Sequence, residues 1–154
     1  MRGVKRYMNN YDDDLFYLCT MIEYVARVTH NKTRKVVEML SDSALLHELK
    51  AASVNHCLSF EQVCDEWIEK YNIKNGNFDN ISTCKYNVPS EMSIGRVYQT
   101  LISSICSSVD DVVENIRKVF NSFISDEISD FNSNVYYSNP NYIKCSYEEG
   151  QLLA

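Results

Sequence analysis

The stretch that most constrains the fold runs from Asp13 to Val28, DDLFYLCTMIEYVARV, because it reads as a helix with almost no wet side. Leu15, Leu18, Cys19, Ile22, Val25 and Ala26 recur at the i, i+3, i+4, i+7 spacing of one helical face, while Phe16, Tyr17, Met21, Tyr24 and Val28 cover most of the rest. Thr20, Glu23 and Arg27 make the remaining polar stripe, with Glu23 and Arg27 spaced as a stabilising i, i+4 pair. A helix this apolar must be wrapped by other elements, so the sequence predicts a domain built around it.

At 154 residues the chain fits one domain. Four Gly and two Pro leave little room for a turn-rich all-β architecture. The expectation is an all-α single domain of five to six helices around the first, spanning residues 12–128, with a flexible arm at 1–11 and a tail at 129–154 that is at most partly ordered. After the first helix, Thr33 is available to cap a short second one through Val36, Val37 and Leu40, and Ser41 or Asp42 a third carrying Leu45, Leu46 and Leu49. Ser59 to Gln62 is a capping box that opens a fourth helix, with Phe60, Val63, Cys64, Trp67, Ile68 and Tyr71 on one face and Asn75 and Gly76 as its stop. Ile81 to Val88 alternates loosely and is read as a short extended segment or hairpin. Pro89 and Ser90 introduce a fifth helix bearing Ile94, Val97, Tyr98, Leu101, Ile102 and Ile105. A sixth carries Val109, Val112, Val113, Ile116, Val119, Phe120, Phe123 and Ile124, and pairs with the fifth as an antiparallel hairpin.

Charge is unevenly placed within the net −6: up to Lys35 there are seven Lys/Arg against four Asp/Glu, and beyond it eight against seventeen. An acidic body argues against broad contact with a phosphate backbone. A basic N-terminal region of Lys5, Arg6, Lys32, Arg34 and Lys35 keeps a nucleic-acid-binding regulator as the alternative function. The element that would serve as a recognition helix, Ser41 to Lys50, has Asp42 near its start and a single strong donor in Lys50, which weakens that alternative.

Chemistry-bearing motifs are scarce. Six cysteines without a secretory leader suggest a reducing, cytoplasmic setting, and no apolar run is long enough to span a bilayer. His56 and Cys57 with Cys64 and Cys84 are the one cluster to test for a metal, but close CxxC or HxxxH pairs are missing. Cys57 or Cys84 could be combined with His30 or His47 into a nucleophile and base, a combination that any chain with six cysteines and three histidines allows. With no GxSxG, phosphate-cradling Gly loop or HExxH, the sequence assigns no catalytic, cofactor or metal residues, and an enzyme stands third. The tail is rich in tyrosine, a residue that interfaces favour, so Tyr136, Tyr137, Tyr142, Tyr147, Leu152 and Leu153 are the candidate partner-binding residues.

Three segments carry a resemblance: the Leu15 to Ala26 helix LFYLCTMIEYVA, the Thr33 to Leu40 segment TRKVVEML, and Asn55 to Ile68, NHCLSFEQVCDEWI. From Leu15 to Asn75 their order resembles a family of short bacterial helical proteins of unknown function, encoded near ADP-ribosyltransferase-like toxins. The resemblance implies a non-catalytic protein–protein interaction protein, the antitoxin-like partner of a toxin encoded nearby. It supplies no functional residues.

Overall fold

The computed structural model describes the backbone of residues 2–154 and the side chains of 11–154. The described residues form eight α-helices and two 3-10 turns, with no strand. The all-helical expectation holds; the count of five to six does not.

Helix α1, Arg2–Thr29, takes in most of the expected arm as helical backbone. Leu15, Leu18, Cys19, Met21, Ile22 and Val25 on it are completely buried. Each large apolar side chain enclosed this way contributes about 1.5–3 kcal/mol of transfer free energy. Asp12, inside this helix, accepts from Ser103 Oγ at 2.9 Å. Helices α2 (Thr33–Glu38), α3 (Asp42–Asn55), α4 (Phe60–Lys70) and α5 (Glu91–Ile105) all pack on α1, α5 most extensively. Ser103 meets α1 near Asp12, and Arg27 meets Glu91 and Pro89 at the other end, so α1 and α5 run antiparallel.

Local chemistry explains most helix starts. Ser41, Ser59 and Ser90 each accept a backbone N–H three residues on, satisfying one of the donors a helix leaves free. Thr33 is the first residue of α2 rather than its cap, and its hydroxyl is spent on Ser125 Oγ at 3.1 Å inside the core. Helix α4 stops at Lys70, earlier than Asn75 and Gly76, with Asn72 in the left-handed region at φ 51°. Between α3 and α4, Glu48 is buried and accepts from Trp67 Nε1 at 3.1 Å and from the Tyr71 hydroxyl.

The stretch from Ile81 to Val88 contains no strand. Asp79 accepts from the backbone N–H groups of Ile81 and Ser82, both at 3.0 Å, and this side-chain turn diverts the chain before a strand can begin. The expected sixth helix is broken in two. A 3-10 turn at Val109–Asp111, closed by a Ser108 capping box, leads into α6 (Val112–Phe120), and α7 is Phe123–Ser129. The break falls at Asn121 and Ser122, poor helix formers, where Ser122 is extended at ψ 168° and its hydroxyl turns back to the Val119 carbonyl at 2.7 Å. The return onto α5 stacks Tyr98 on Phe120 with ring centroids 4.2 Å apart.

The tail is corrected most. Residues 129–154 hold a 3-10 turn at Val135–Tyr137 and helix α8, Pro140–Glu149, opened by Asn139 and stopped by Gly150 in the left-handed conformation. Phe131, Val135 and Ile143 are buried, and α8 packs on α5 and α7. Short apolar islands around Pro140 are enough to dock a ten-residue helix, because its start and stop are locally encoded by Asn139, Pro140 and Gly150.

Candidate functional site

Two adjoining clefts form a groove along the first described turns of α1, the outer face of α3 and the start of α6. One, of about 790 Å³, is lined by Tyr11, Phe16, Tyr17, Leu46, Leu49, Phe60, Met92, Val109 and Val112, with Asp13, Asp14, Lys50, His56 and Arg96 among them. The other, of about 1170 Å³, shares Leu46, Lys50, Val109 and Val112 and adds Asp42, Asp110, Val113, Glu114, Arg117, Lys118 and Tyr147. Leu46 is 40% exposed and Met92 50% exposed, so the groove presents apolar side chains to solvent.

Each wall is set by the packing behind it. On α3, Leu45 and Leu49 turn into the core, and Leu46, one position away, is left facing out. Phe16 is held beneath Arg96, whose guanidinium carbon lies 3.7 Å from the ring centroid and whose Nη1 donates to Gln99 Oε1 at 2.7 Å. Arg117 is tied to Asp42 at 2.7 Å and to the Leu40 carbonyl at 2.8 Å, and Lys118 to Glu114 at 2.9 Å. Asp13, Asp14 and Asp110 take part in no ion pair among the described residues, and neither do the lining cations Lys50 and Arg96, so the groove carries charge of both signs. Burial and the neighbouring Asp13 push the Asp14 carboxyl up from its ordinary value.

Another cleft, of about 370 Å³, lies at the other end of α1, where Glu23, Arg27, His30, Asn31 and Asp79 line it together with Ala26, Phe78 and Ile81. Arg27 occupies its inner wall. It donates to Glu23 Oε2 at 2.7 Å and to the Pro89 carbonyl at 2.8 Å, lies 3.3 Å from Glu91 and covers the Phe131 ring at 5.3 Å. Burial raises the Glu23 carboxyl to about 7 against the pull of Arg27. The pair joins α1 to the loop before α5 and to the chain after α7, which is a structural tie.

The residues expected from sequence are dispersed. Tyr147 lines the groove. Tyr136 packs edge-on against Phe131, Tyr137 is 69% exposed beside it, and Tyr142 donates to the Leu153 carbonyl at 3.0 Å. Leu152 packs against the core, and the Leu153 N–H donates to the buried Ser146 hydroxyl at 3.2 Å. Of the basic set, Lys32 and Arg34 both meet Asp126, at 3.8 and 2.7 Å, and Lys35 meets Glu38 at 3.2 Å. The side chains of Lys5 and Arg6 lie outside the described residues.

Cys57 Sγ lies 3.9 Å from its neighbour His56, and Cys84 Sγ donates to the Tyr86 carbonyl at 3.3 Å, in place of the pairings with His30 or His47. All six cysteines are free. Among the described residues no three His, Cys, Asp or Glu side chains are grouped to hold a metal ion, and no helix is long and apolar enough to cross a membrane. Comparison of the chain with protein-family models, curated proteins and solved structures finds no match.

Of the groove residues, Phe16, Leu46 and Val109 were read from sequence as apolar positions on helices and not as a site, and Met92 was not read at all. Leu46 carried a usable signal: it widens the apolar face of α3 beyond what Leu45 and Leu49 need to face the core.

Proposed function

We propose that the chain is a non-enzymatic protein–protein interaction protein acting in the cytoplasm, built around α1, whose groove receives an apolar helical segment of another chain. The observation that carries this reading is the exposure of Leu46 and Met92 in a groove where Tyr11, Phe16, Tyr17 and Phe60 stand among charged residues. A groove of this kind suits a peptide or helix face rather than a reaction, which needs a nucleophile, base and charge-stabilising donors converging on one point.

The resemblance of residues 15–75 to helical proteins encoded beside ADP-ribosyltransferase-like toxins makes such a toxin the partner class, with this chain as its antitoxin-like restraint. Co-expression of the chain with the product of its neighbouring gene tests the reading. A stable complex that co-purifies, and a neighbour that is toxic when expressed alone, is the expected result. A neighbour that is harmless alone and elutes separately would overturn the antitoxin-like assignment.

A further inference from the structure

The cleft at the C-terminal end of α1 is walled on one side by Glu23, Ala26, Arg27 and His30, spaced i, i+3, i+4 and i+7, and on the other by the loop through Phe78 and Ile81. That loop is pinned to its surroundings. The Gly76 N–H donates to the Thr29 carbonyl and the Phe78 N–H to the His30 carbonyl, both at 2.9 Å, and Asn80 Nδ2 donates to the Ser129 carbonyl at 2.8 Å, so the walls are preformed. Deep in the cleft Glu23 is 4% exposed, and Arg27 Nε donates to one of its carboxylate oxygens, Oε2, at 2.7 Å. Its other oxygen, Oε1, accepts no hydrogen bond among the described residues, yet it is not sealed in: Arg34 Nε is the one side-chain polar atom among them that is both enclosed and unpartnered. Oε1 is therefore reached through the cleft that Glu23 lines. Charge there is unbalanced as well. The Arg27 guanidinium serves two carboxylates, Glu23 and, at 3.3 Å, Glu91, while its Nη2 goes to the Pro89 carbonyl, which leaves one negative charge over.

We propose that this cleft binds a small organic cation, an alkyl ammonium or guanidinium whose charged head meets Glu23 Oε1 and whose hydrocarbon part lies against Phe78 and Ile81. A cation supplies both the donor that Oε1 lacks and the charge that Arg27 leaves unmatched, and a buried carboxylate gains more from such pairing than an exposed one. Asp79 adds a second negative charge at the mouth, where hydrogen bonds from the Ser82 hydroxyl and from the backbone N–H groups of Ser82 and Ile81 hold its carboxyl below the usual value. The nearest free-chain cation is drawn elsewhere: Lys32 lies 5.7 Å from the Phe78 ring centroid and 3.8 Å from Asp126. A cleft of about 370 Å³ is within the size range of small-molecule sites. Binding is linked to a proton. Burial raises the Glu23 carboxyl to about 7 against the pull of Arg27, and a bound cation requires it ionised, so binding below that pH expels the proton. The groups facing Glu23 are Arg27 on its own helix, Glu91 and the buried Tyr98 hydroxyl from α5, and Asp79 and His30 along the cleft. Of these, histidine is the one residue type that also changes charge near neutral pH.

Titration of the full chain with n-butylamine, agmatine and n-butanol, followed by the NMR shifts of backbone amides, tests the site. At about pH 8 the two cations should give saturable shifts confined to residues 23–31 and 76–82, with a Kd of about 1 mM or tighter, and the neutral alcohol should give none. Affinity for n-butylamine should fall on the order of tenfold between about pH 8 and about pH 6, in the parent and in His30→Gln alike, which assigns the titration to Glu23. Glu23→Gln keeps an acceptor for Arg27; it should weaken n-butylamine by about tenfold or more at the higher pH and erase the pH dependence. A blocked lysine amide separates the two sources of such a cation: binding equal to that of n-butylamine identifies a protein side chain, and rejection identifies a free amine. Binding of n-butanol as tight as that of n-butylamine, cation-induced shifts that never saturate or fall outside these residues, or a Glu23→Gln protein that binds as the parent does overturns the proposal. The alcohol comparison uses the parent chain alone and so decides the matter even if a variant fails to fold.

Discussion

Gly95 of α5 lies against Thr20 of α1 so closely that a methyl group at position 95 would sit 2.8 Å from the Thr20 backbone nitrogen and Cα. The contact sets the approach of the two helices that pack most extensively. Gly95→Ala would gain up to about 1 kcal/mol of helix propensity, yet it must push α5 off α1, and overpacking of this kind costs about 1–3 kcal/mol. The expected net result is a loss of stability with the fold retained, read from the urea midpoint. An unchanged or higher midpoint would show that the interface yields at this point.

Glu23 and Arg27 give the molecule a pH dependence of known sign. Burial raises the Glu23 carboxyl from 4.5 to about 7, so between those values the native state holds a proton that the unfolded chain has released. Stability from this group is full below about 4.5 and declines as pH rises toward 7. Glu23→Gln removes the titration while keeping the shape. Relative to that variant, the parent should lose stability steadily across the window and change little outside it, measured as denaturant unfolding at a series of pH values. A parent that gains on the variant as pH rises would mean that Arg27 dominates over burial.

Ile143 anchors the chain's last helix. It is 4% exposed on α8, where that helix meets α5 and α7. Ile143→Asp would bury an unpaired carboxylate or release α8, and the expected cost is about 3 kcal/mol or more. Rapid amide exchange throughout 140–149 with a lowered melting temperature is the expected signature. Native-like protection there would show that α8 is held by contacts other than this one.

That the first segment is a helix was legible because Leu15, Leu18, Cys19, Ile22, Val25 and Ala26 keep the helical spacing within one short stretch. The caps at Ser41, Ser59 and Ser90 were legible because capping is a local matter of one hydroxyl and one backbone N–H. What was hidden depends on partners far along the chain. Thr33 had the chemistry of a cap, but Ser125, distant in sequence, claims its hydroxyl. The 129–154 segment looked too polar to fold, because Phe131, Val135 and Ile143 are spaced too widely to mark a helix face until α5 and α7 supply the surface they fit. The groove is hidden for a related reason: Leu46 and Leu45 are chemically identical, and only tertiary packing turns one inward and the other to solvent.

The central claim, that the groove is where another chain docks, is tested most directly by a pair of substitutions at exposed apolar residues. Leu46 is 40% exposed in the groove, and Val54, on the same helix and 70% exposed, lines neither cleft. Calorimetric titration with the purified neighbouring-gene product compares Leu46→Asp with Val54→Asp, both expected to keep the parent melting temperature within the few degrees typical of surface changes. The prediction is that Leu46→Asp lowers affinity about thirtyfold or more, corresponding to a contact worth about 2 kcal/mol, while Val54→Asp binds as the parent does. Equal affinity for both variants, or a loss confined to Val54→Asp, would contradict the account.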